Sequence, residues 1–254
     1  MTIHLPALSG LILTYLLVFA RVGSMVMLLP AIGEVGVPSQ VRLVLALAIA
    51  LALTPQVQGY YPAQVPATFL QLAILVLQEV TAGVLVGAMA RIIMSALSVA
   101  GFLVANQTGL AYAQTIDPTQ NTQGAVLGNF MTLLGTTMIF ITNLHHLAIG
   151  AIAGSYKMIA PGAHLPMSDM AQLVISLTSS SFALGFQLAA PFLVFSFAVY
   201  AGLGVLARLM PQLQVFFVAV PINIMCGFLI LLAVIGTLMT LFLNYYAAQM
   251  AIFL

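Results

Sequence analysis

The chain has 254 residues, 63% hydrophobic and 4% charged, with a formal net charge of +1 at pH 7. A soluble protein of this length must coat itself in polar side chains, and five basic with four acidic residues cannot do that. The chain is therefore an integral membrane protein or a subunit buried in an apolar assembly, with no basic stripe for nucleic acid.

The N-terminus MTIHLPALSG carries no Lys or Arg and so lacks the charged head of a signal peptide; it is expected to stay as part of the first helix. Apolar runs follow at about 5–29, 41–58, 67–105, 125–154, 171–206 and 213–254. Gaps rich in Pro and Gly separate them, at Pro30–Pro38, Thr54–Pro66, Pro161–Pro166 and Met210–Gln212. Leu, Ala, Ile and Met dominate the runs without period-2 alternation, so the predicted class is all-α, built of membrane-type helical hairpins. Pro191 and Pro221 are expected to kink their helices, since each removes a backbone hydrogen bond. Hydropathy alone counts six or seven spans. The run 67–105 is too long for one simple span, because as a single helix it would reach about 58 Å against the ~20 residues a bilayer core needs.

Charges sit in unlikely places. Arg21 lies inside the first run, and Glu79 and Arg91 inside the third. Each costs about 2.5–3.5 kcal/mol at a helix centre facing lipid. Glu79 and Arg91 are roughly 18 Å apart along one helix axis and cannot neutralise each other. Either they snorkel to an interface or they pair with other helices or chains. Gly83-xxx-Gly87, Gly124-xxx-Gly128 and Gly150-xxx-Gly154 place glycine pairs on single helix faces, as close helix approach in apolar surroundings requires. The last two bracket one run, 124–154, which predicts a tightly packed helix there.

Asn106–Gln123, reading NQTGLAYAQTIDPTQNTQ, interrupts the hydrocarbon with amides and threonines but only one charge, Asp117. A lipid-crossing segment cannot hold so many amides without partners, whereas an ordinary loop would carry Lys or Arg. The composition suits an enclosed wet surface, such as the lining or stopper of a conduit.

Catalytic chemistry finds no foothold. His145 and His146 are adjacent and point about 100° apart, unlike zinc pairs at i, i+4; they read as polar residues at a helix end or subunit seam. Ser179–Ser181 lacks a nucleophile elbow, there is no Gly-rich phosphate loop, and a single cysteine, Cys226, leaves no disulfide or cysteine-cluster metal site. Met25, Met27, Met89 and Met94 fall at helical spacing and read as core filling. No cofactor is expected and the chain is not read as an enzyme.

Four segments closely resemble one family. Arg21–Pro55 (RVGSMVMLLPAIGEVGVPSQVRLVLALAIALALTP), Gln78–Arg91 (QEVTAGVLVGAMAR), the surroundings of Asp117-Pro118, and Arg208–Ile224 (RLMPQLQVFFVAVPINI) are similar, in order, to the FliR family of flagellar biosynthesis proteins and its SctT homologues in virulence type III secretion. The pair His145-His146 with Ser155-Tyr156 looks more flagellar than virulence-type. The resemblance implies a non-enzymatic subunit that joins FliP and FliQ in the core of an export gate for unfolded flagellar proteins. It implies contacts with FlhB and FlhA, a place in the bacterial inner membrane at the flagellar basal body, contact with membrane lipid, and a complex standing largely above the bilayer plane. It further implies a FliP-like part over 1–209 fused to a FliQ-like hairpin over 210–254. By position the island becomes a luminal plug, with Asn106, Gln107, Tyr112, Gln114, Asp117, Pro118, Gln120, Asn121, Thr122 and Gln123 as its polar members. Arg21, Arg42, Glu79, Gly83, Gly87, Arg91, Arg208, Pro211 and Gln212 are the expected subunit-interface residues. A small-solute or ion carrier with its site at the broken helices near Pro191 and Pro221 is the alternative reading.

Overall fold

The structure is a computed structural model that describes residues 5–34, 36–61, 68–111, 126–163, 166–210 and 215–253. Among them every regular element is a helix, as the all-α expectation requires: α1 (Leu5–Val26), α2 (Ser39–Val57), α3 (Phe69–Gln107), α4 (Val126–Ile141), α5 (His145–Met158), α6 (Met167–Leu209) and α7 (Val215–Met250). Short 3₁₀ turns follow α2 at Gln58–Tyr60 and α7 at Ala251–Phe253. This is an all-α membrane protein. Four helices are long and apolar enough to cross a bilayer, or five if the broken pair α4–α5 counts as one span. That is fewer than the six or seven spans counted from hydropathy. The run 67–105 is not split, because nothing in it interrupts the backbone ladder: α3 is one helix of 39 residues. α6 continues through Pro191 for 43 residues, and α7 through Pro221 for 36.

The run 125–154 corrects a second expectation. It is two helices, parted at Thr142–Leu144 where Asn143 adopts a left-handed φ of 60°. Asn is one of the few side-chain-bearing residues that accept this conformation readily. The Asn143 N–H closes a turn to the Phe140 carbonyl at 3.2 Å, and the Phe140 ring stacks on His145 with centroids 4.9 Å apart. Gly124 lies outside the described residues.

Two compact units divide the chain. The first holds Met1–Ile93, Phe140–Leu177 and Tyr246–Leu254; the second holds Met94–Ile139 and Thr178–Tyr245. In the first unit α1 buries one stripe, Leu17, Val18, Arg21, Val22 and Met25, at the spacing of a single helix face. Opposite it, α3 presents Gly83 and Gly87. A Cβ at Gly83 would run into the Arg21 carbonyl and the Ser24 hydroxyl, and one at Gly87 into Leu28 and the Met25 backbone. The two backbones meet because neither glycine has a side chain. α2 lies along α1, where the Tyr15 hydroxyl donates to the Leu47 carbonyl at 3.3 Å. Met25, Met89 and Met94 fill core positions within their own units, while Met27 is exposed.

Small residues organise the second unit too. The C-terminal stretch of α3 meets α4 at Gly101 and Gly128, α6 at Gly185 (against Ala96 and Val99), and α7 at Gly227 (against Thr108). Ser98 and Thr132 hydroxyls add a 3.1 Å contact between α3 and α4. Much of α6 and α7 is left uncovered: Phe197 is 80% exposed and Leu232 is 76% exposed.

Candidate functional site

The first unit encloses a charge cluster. Arg21 (1% exposed) and Glu79 (0%) meet side-on, with Arg21 Nε donating to Glu79 Oε2 at 2.7 Å and Nη2 to Oε1 at 3.0 Å. Nη1 donates to Ser155 Oγ at 3.1 Å, and Nη2 also to the Ile159 carbonyl at 2.9 Å. Ser155 can accept because its own proton goes to the Ile152 carbonyl, 2.6 Å away. The Arg21 guanidinium carbon lies 3.9 Å from the Tyr156 ring centre, a cation–π placement. The Tyr61 hydroxyl completes the carboxylate's shell, donating to Glu79 Oε2 at 3.0 Å with the Tyr156 hydroxyl 3.4 Å away.

Local structure explains the geometry. α5 ends at Met158, and its last carbonyls lack intrahelical partners. The Arg21 cation sits at that negative end, where a helix favours positive charge. Taking two ions out of water costs several kcal/mol each, and only excellent geometry with further hydrogen bonds offsets it. Arg21 uses four donor contacts and Glu79 accepts three, so the pair meets that condition. Burial pushes the Tyr61 phenol well above its ordinary range, with Tyr156 and Glu79 adding to the shift. The phenol therefore keeps its proton and remains a donor to Glu79. The cluster is charge-neutral and closed, and what it can do chemically is fasten: it joins α1, α3, the segment after α2 and the end of α5.

The other expected interface residues are placed differently. Arg91 reaches Glu34 at 3.8 Å with side chains 50% and 58% exposed, a surface pair of small energetic weight. Arg42 is half-buried, with Nη1 3.8 Å from the Met27 sulfur and its buried Nε without a partner. Arg208 is exposed in the last turn of α6. Pro211 and Gln212 lie outside the described residues. His145 and His146 open α5 with rings 4.2 Å apart, and among the described residues no three His, Cys, Asp or Glu side chains gather as a metal set. Ser180 and Ser181 both contact the Tyr245 hydroxyl, at 2.7 and 3.0 Å.

The polar island begins inside α3, not beyond it. Asn106 and Gln107 form the helix's last turn, and the Asn106 amide donates back to the Phe102 carbonyl at 2.8 Å. Thr108 N–H then closes on the Val104 carbonyl at 2.9 Å, and Gly109 turns the chain with a left-handed φ of 78°. Tyr112, Gln114, Asp117, Pro118, Gln120, Asn121, Thr122 and Gln123 lie outside the described residues.

A family model, bacterial export proteins, family 1, matches residues 12–248. The chain belongs to that family. The flagellar biosynthetic protein FliR of Caulobacter vibrioides is 37% identical over 237 residues, covering 93% of this chain and 94% of the relative. FliR of Bacillus subtilis is 26% identical over 236 residues, 92% of this chain and 90% of its own. The Yop proteins translocation protein T of Yersinia pestis is 30% identical over 217 residues, 84% and 82% respectively. Cluster and island of this export-family chain both lie within the matched stretch. Tyr61 escaped sequence reasoning, since a tyrosine beside a Pro-rich gap carries no signal. Ser155 and Tyr156 drew notice only as a family-like pair. The isolated buried charges Arg21 and Glu79 were the signal that a partner set existed.

Proposed function

We propose that this chain is a non-enzymatic core subunit of the flagellar type III export gate, forming with FliP and FliQ the channel through which unfolded flagellar proteins leave the cytoplasm. The family match over residues 12–248 carries the reading. Two features support it. α3 and α6, at 39 and 43 residues, are far longer than a bilayer core needs. Large apolar side chains also stay exposed along nearly the whole of α6, from Met167 to Leu209. At ~1.5 Å per residue that stretch is about twice as long as the ~30 Å hydrocarbon layer, so lipid alone cannot cover it and neighbouring protein must.

In this reading the complex sits in the inner membrane at the basal body, largely above the bilayer plane, with FlhB and FlhA as further neighbours. Residues 1–209 form the FliP-like part and 210–254 the FliQ-like part. Gly83, Gly87, Arg42, Arg91, Arg208, Pro211 and Gln212 contribute to interfaces or to the packing behind them, and Arg21 with Glu79 stiffens that scaffold from within. The island, Asn106–Gln123, closes the lumen.

Deleting part of Ala111–Thr122 tests this directly. Assembly with FliP and FliQ should persist while the membrane becomes leaky to ions and small solutes. Unchanged conductance with secretion intact would remove the stopper role.

A further inference from the structure

We propose that Ser196 and Gly227 act as a latch that sets where α3 ends and in which direction the chain leaves it; the consequence for closure rests on the gate reading above. Two helices of the second unit, α6 and α7, meet the end of α3. Ser196 of α6 is 3% exposed, and its Oγ donates to the Gln107 carbonyl at 2.8 Å. That carbonyl belongs to the final residue of α3, one of the four at a helix end without an intrahelical partner. The usual solution is a bond to water or to a side chain of the following loop. Here the partner is a buried hydroxyl on a helix 89 positions away.

One residue further on, Thr108 is held on two sides. Its hydroxyl returns to the Val104 carbonyl at 2.9 Å, and its methyl lies directly over Gly227 of α7. A Cβ at Gly227 would overlap that methyl and would also come within 2.7 Å of the Thr108 Cβ. Rotating the threonine side chain relieves the first clash but not the second, because Cβ moves only with the backbone. Any residue larger than glycine at 227 must therefore displace the Thr108 backbone, three positions before Ala111. Beneath this point lies a small apolar cavity lined by Val104, Thr108, Leu110, Leu127, Gly227 and neighbours on α7. Across helices the turn is thus held by the Ser196 hydroxyl and by the close fit of Thr108 on Gly227.

The latch makes Ser196 and Gly227 positioning residues for the island. In this account α6 and α7 govern the island's point of departure through two specific contacts. A shift of α6 that broke the Ser196 bond would loosen the turn without unfolding α3.

The test uses the full chain in its assembled complex. Ser196→Ala, Ser196→Thr and Gly227→Ala are compared with the parent and with the Ala111–Thr122 deletion. Two readouts are taken: amide hydrogen exchange at Thr108–Ala111, and ion leak across the membrane, with complex yield as control. Ser196→Ala should speed exchange at these amides about fivefold, the factor given by loss of one hydrogen bond of typical net strength. Ser196→Thr, which keeps the hydroxyl, should restore protection. Gly227→Ala should speed exchange at least as much, and both Ser196→Ala and Gly227→Ala should raise leak at unchanged complex yield. Unaltered exchange in both variants overturns the latch whatever the leak shows. Faster exchange with no leak in the variants, beside a leaky deletion, overturns its link to closure. A deletion that does not leak overturns the island's stopper role, and closure by the latch with it.

Discussion

Arg21 and Glu79 stand 58 positions apart in the chain, yet their side chains meet at 2.7 Å in a place water does not reach. A carboxylate there is tolerable only because its whole shell is supplied by protein. Glu79→Leu leaves the guanidinium buried and uncompensated, which should cost about 3–5 kcal/mol. Replacing both partners, Arg21→Met with Glu79→Leu, should cost much less than the sum of the single changes, since neither variant charge is then stranded. Thermal unfolding of the purified complex in mild detergent, arranged as a double-mutant cycle, measures the coupling. Additive costs would mean the pair is not the unit described.

Tyr61 adds a pH dependence of definite sign. Its phenol titrates above the ordinary tyrosine range in the folded chain because of burial. Above about pH 10, where an unfolded tyrosine loses its proton, the folded state binds more protons than the unfolded one. Stability from this group is therefore complete below about pH 10 and falls as pH rises beyond it. Tyr61→Phe should remove that alkaline loss. At neutral pH it should cost about 1.5–3 kcal/mol, as expected for a hydrogen bond to a charged group. Melting curves from pH 8 to the highest pH the complex tolerates, for both chains, decide it; parallel alkaline slopes would exclude Tyr61 as their source.

The helical class and the misplaced charges were legible in the sequence because both follow from local composition. Thirty-nine residues without proline make one helix, and an isolated Arg or Glu among leucines demands a partner. What could not be read was which partner. Arg21 finds Glu79 through close approach of α1 and α3 at Gly83, a tertiary fact that no spacing along the chain encodes. The break at Asn143 was missed for a related reason. Thr142, Asn143, His145 and His146 interrupt the apolar run from 125 to 154, but polar residues alone do not encode the left-handed turn at Asn143. Ser196 carried no signal either, being an ordinary serine inside a long apolar helix.

Gly83 should be intolerant where other glycines are not. A Cβ there meets the Arg21 carbonyl and the Ser24 hydroxyl, and the carbonyl is backbone that cannot rotate away. Gly83→Ala should force α1 and α3 apart and destabilise by about 1–3 kcal/mol, the usual cost of overpacking. Gly236→Ala is the matched control, since nothing lies within 4 Å of a Cβ at that position on α7. It should be neutral or stabilising by up to about 1 kcal/mol, because alanine is the better helix former. If both variants melt alike, the contact at Gly83 is not limiting.

Ala31 holds a strained backbone position in the first unit. It follows Pro30 in the turn after α1 and holds a φ of 68°, a conformation that crowds any L side chain. For alanine this costs roughly 1–2 kcal/mol. Glycine adopts it freely but loses more chain entropy on folding, roughly 0.4–1 kcal/mol. Ala31→Gly should therefore stabilise by about 0.5–1 kcal/mol, the difference between these two effects. Asn143, at φ 60°, supplies the contrast. Asparagine already tolerates the left-handed region, so Asn143→Gly should change little, whereas Asn143→Val should cost about 1–2 kcal/mol. Melting temperatures of the three variants test the ranking. A destabilised Ala31→Gly chain would show that the methyl group makes contacts worth more than the strain it imposes.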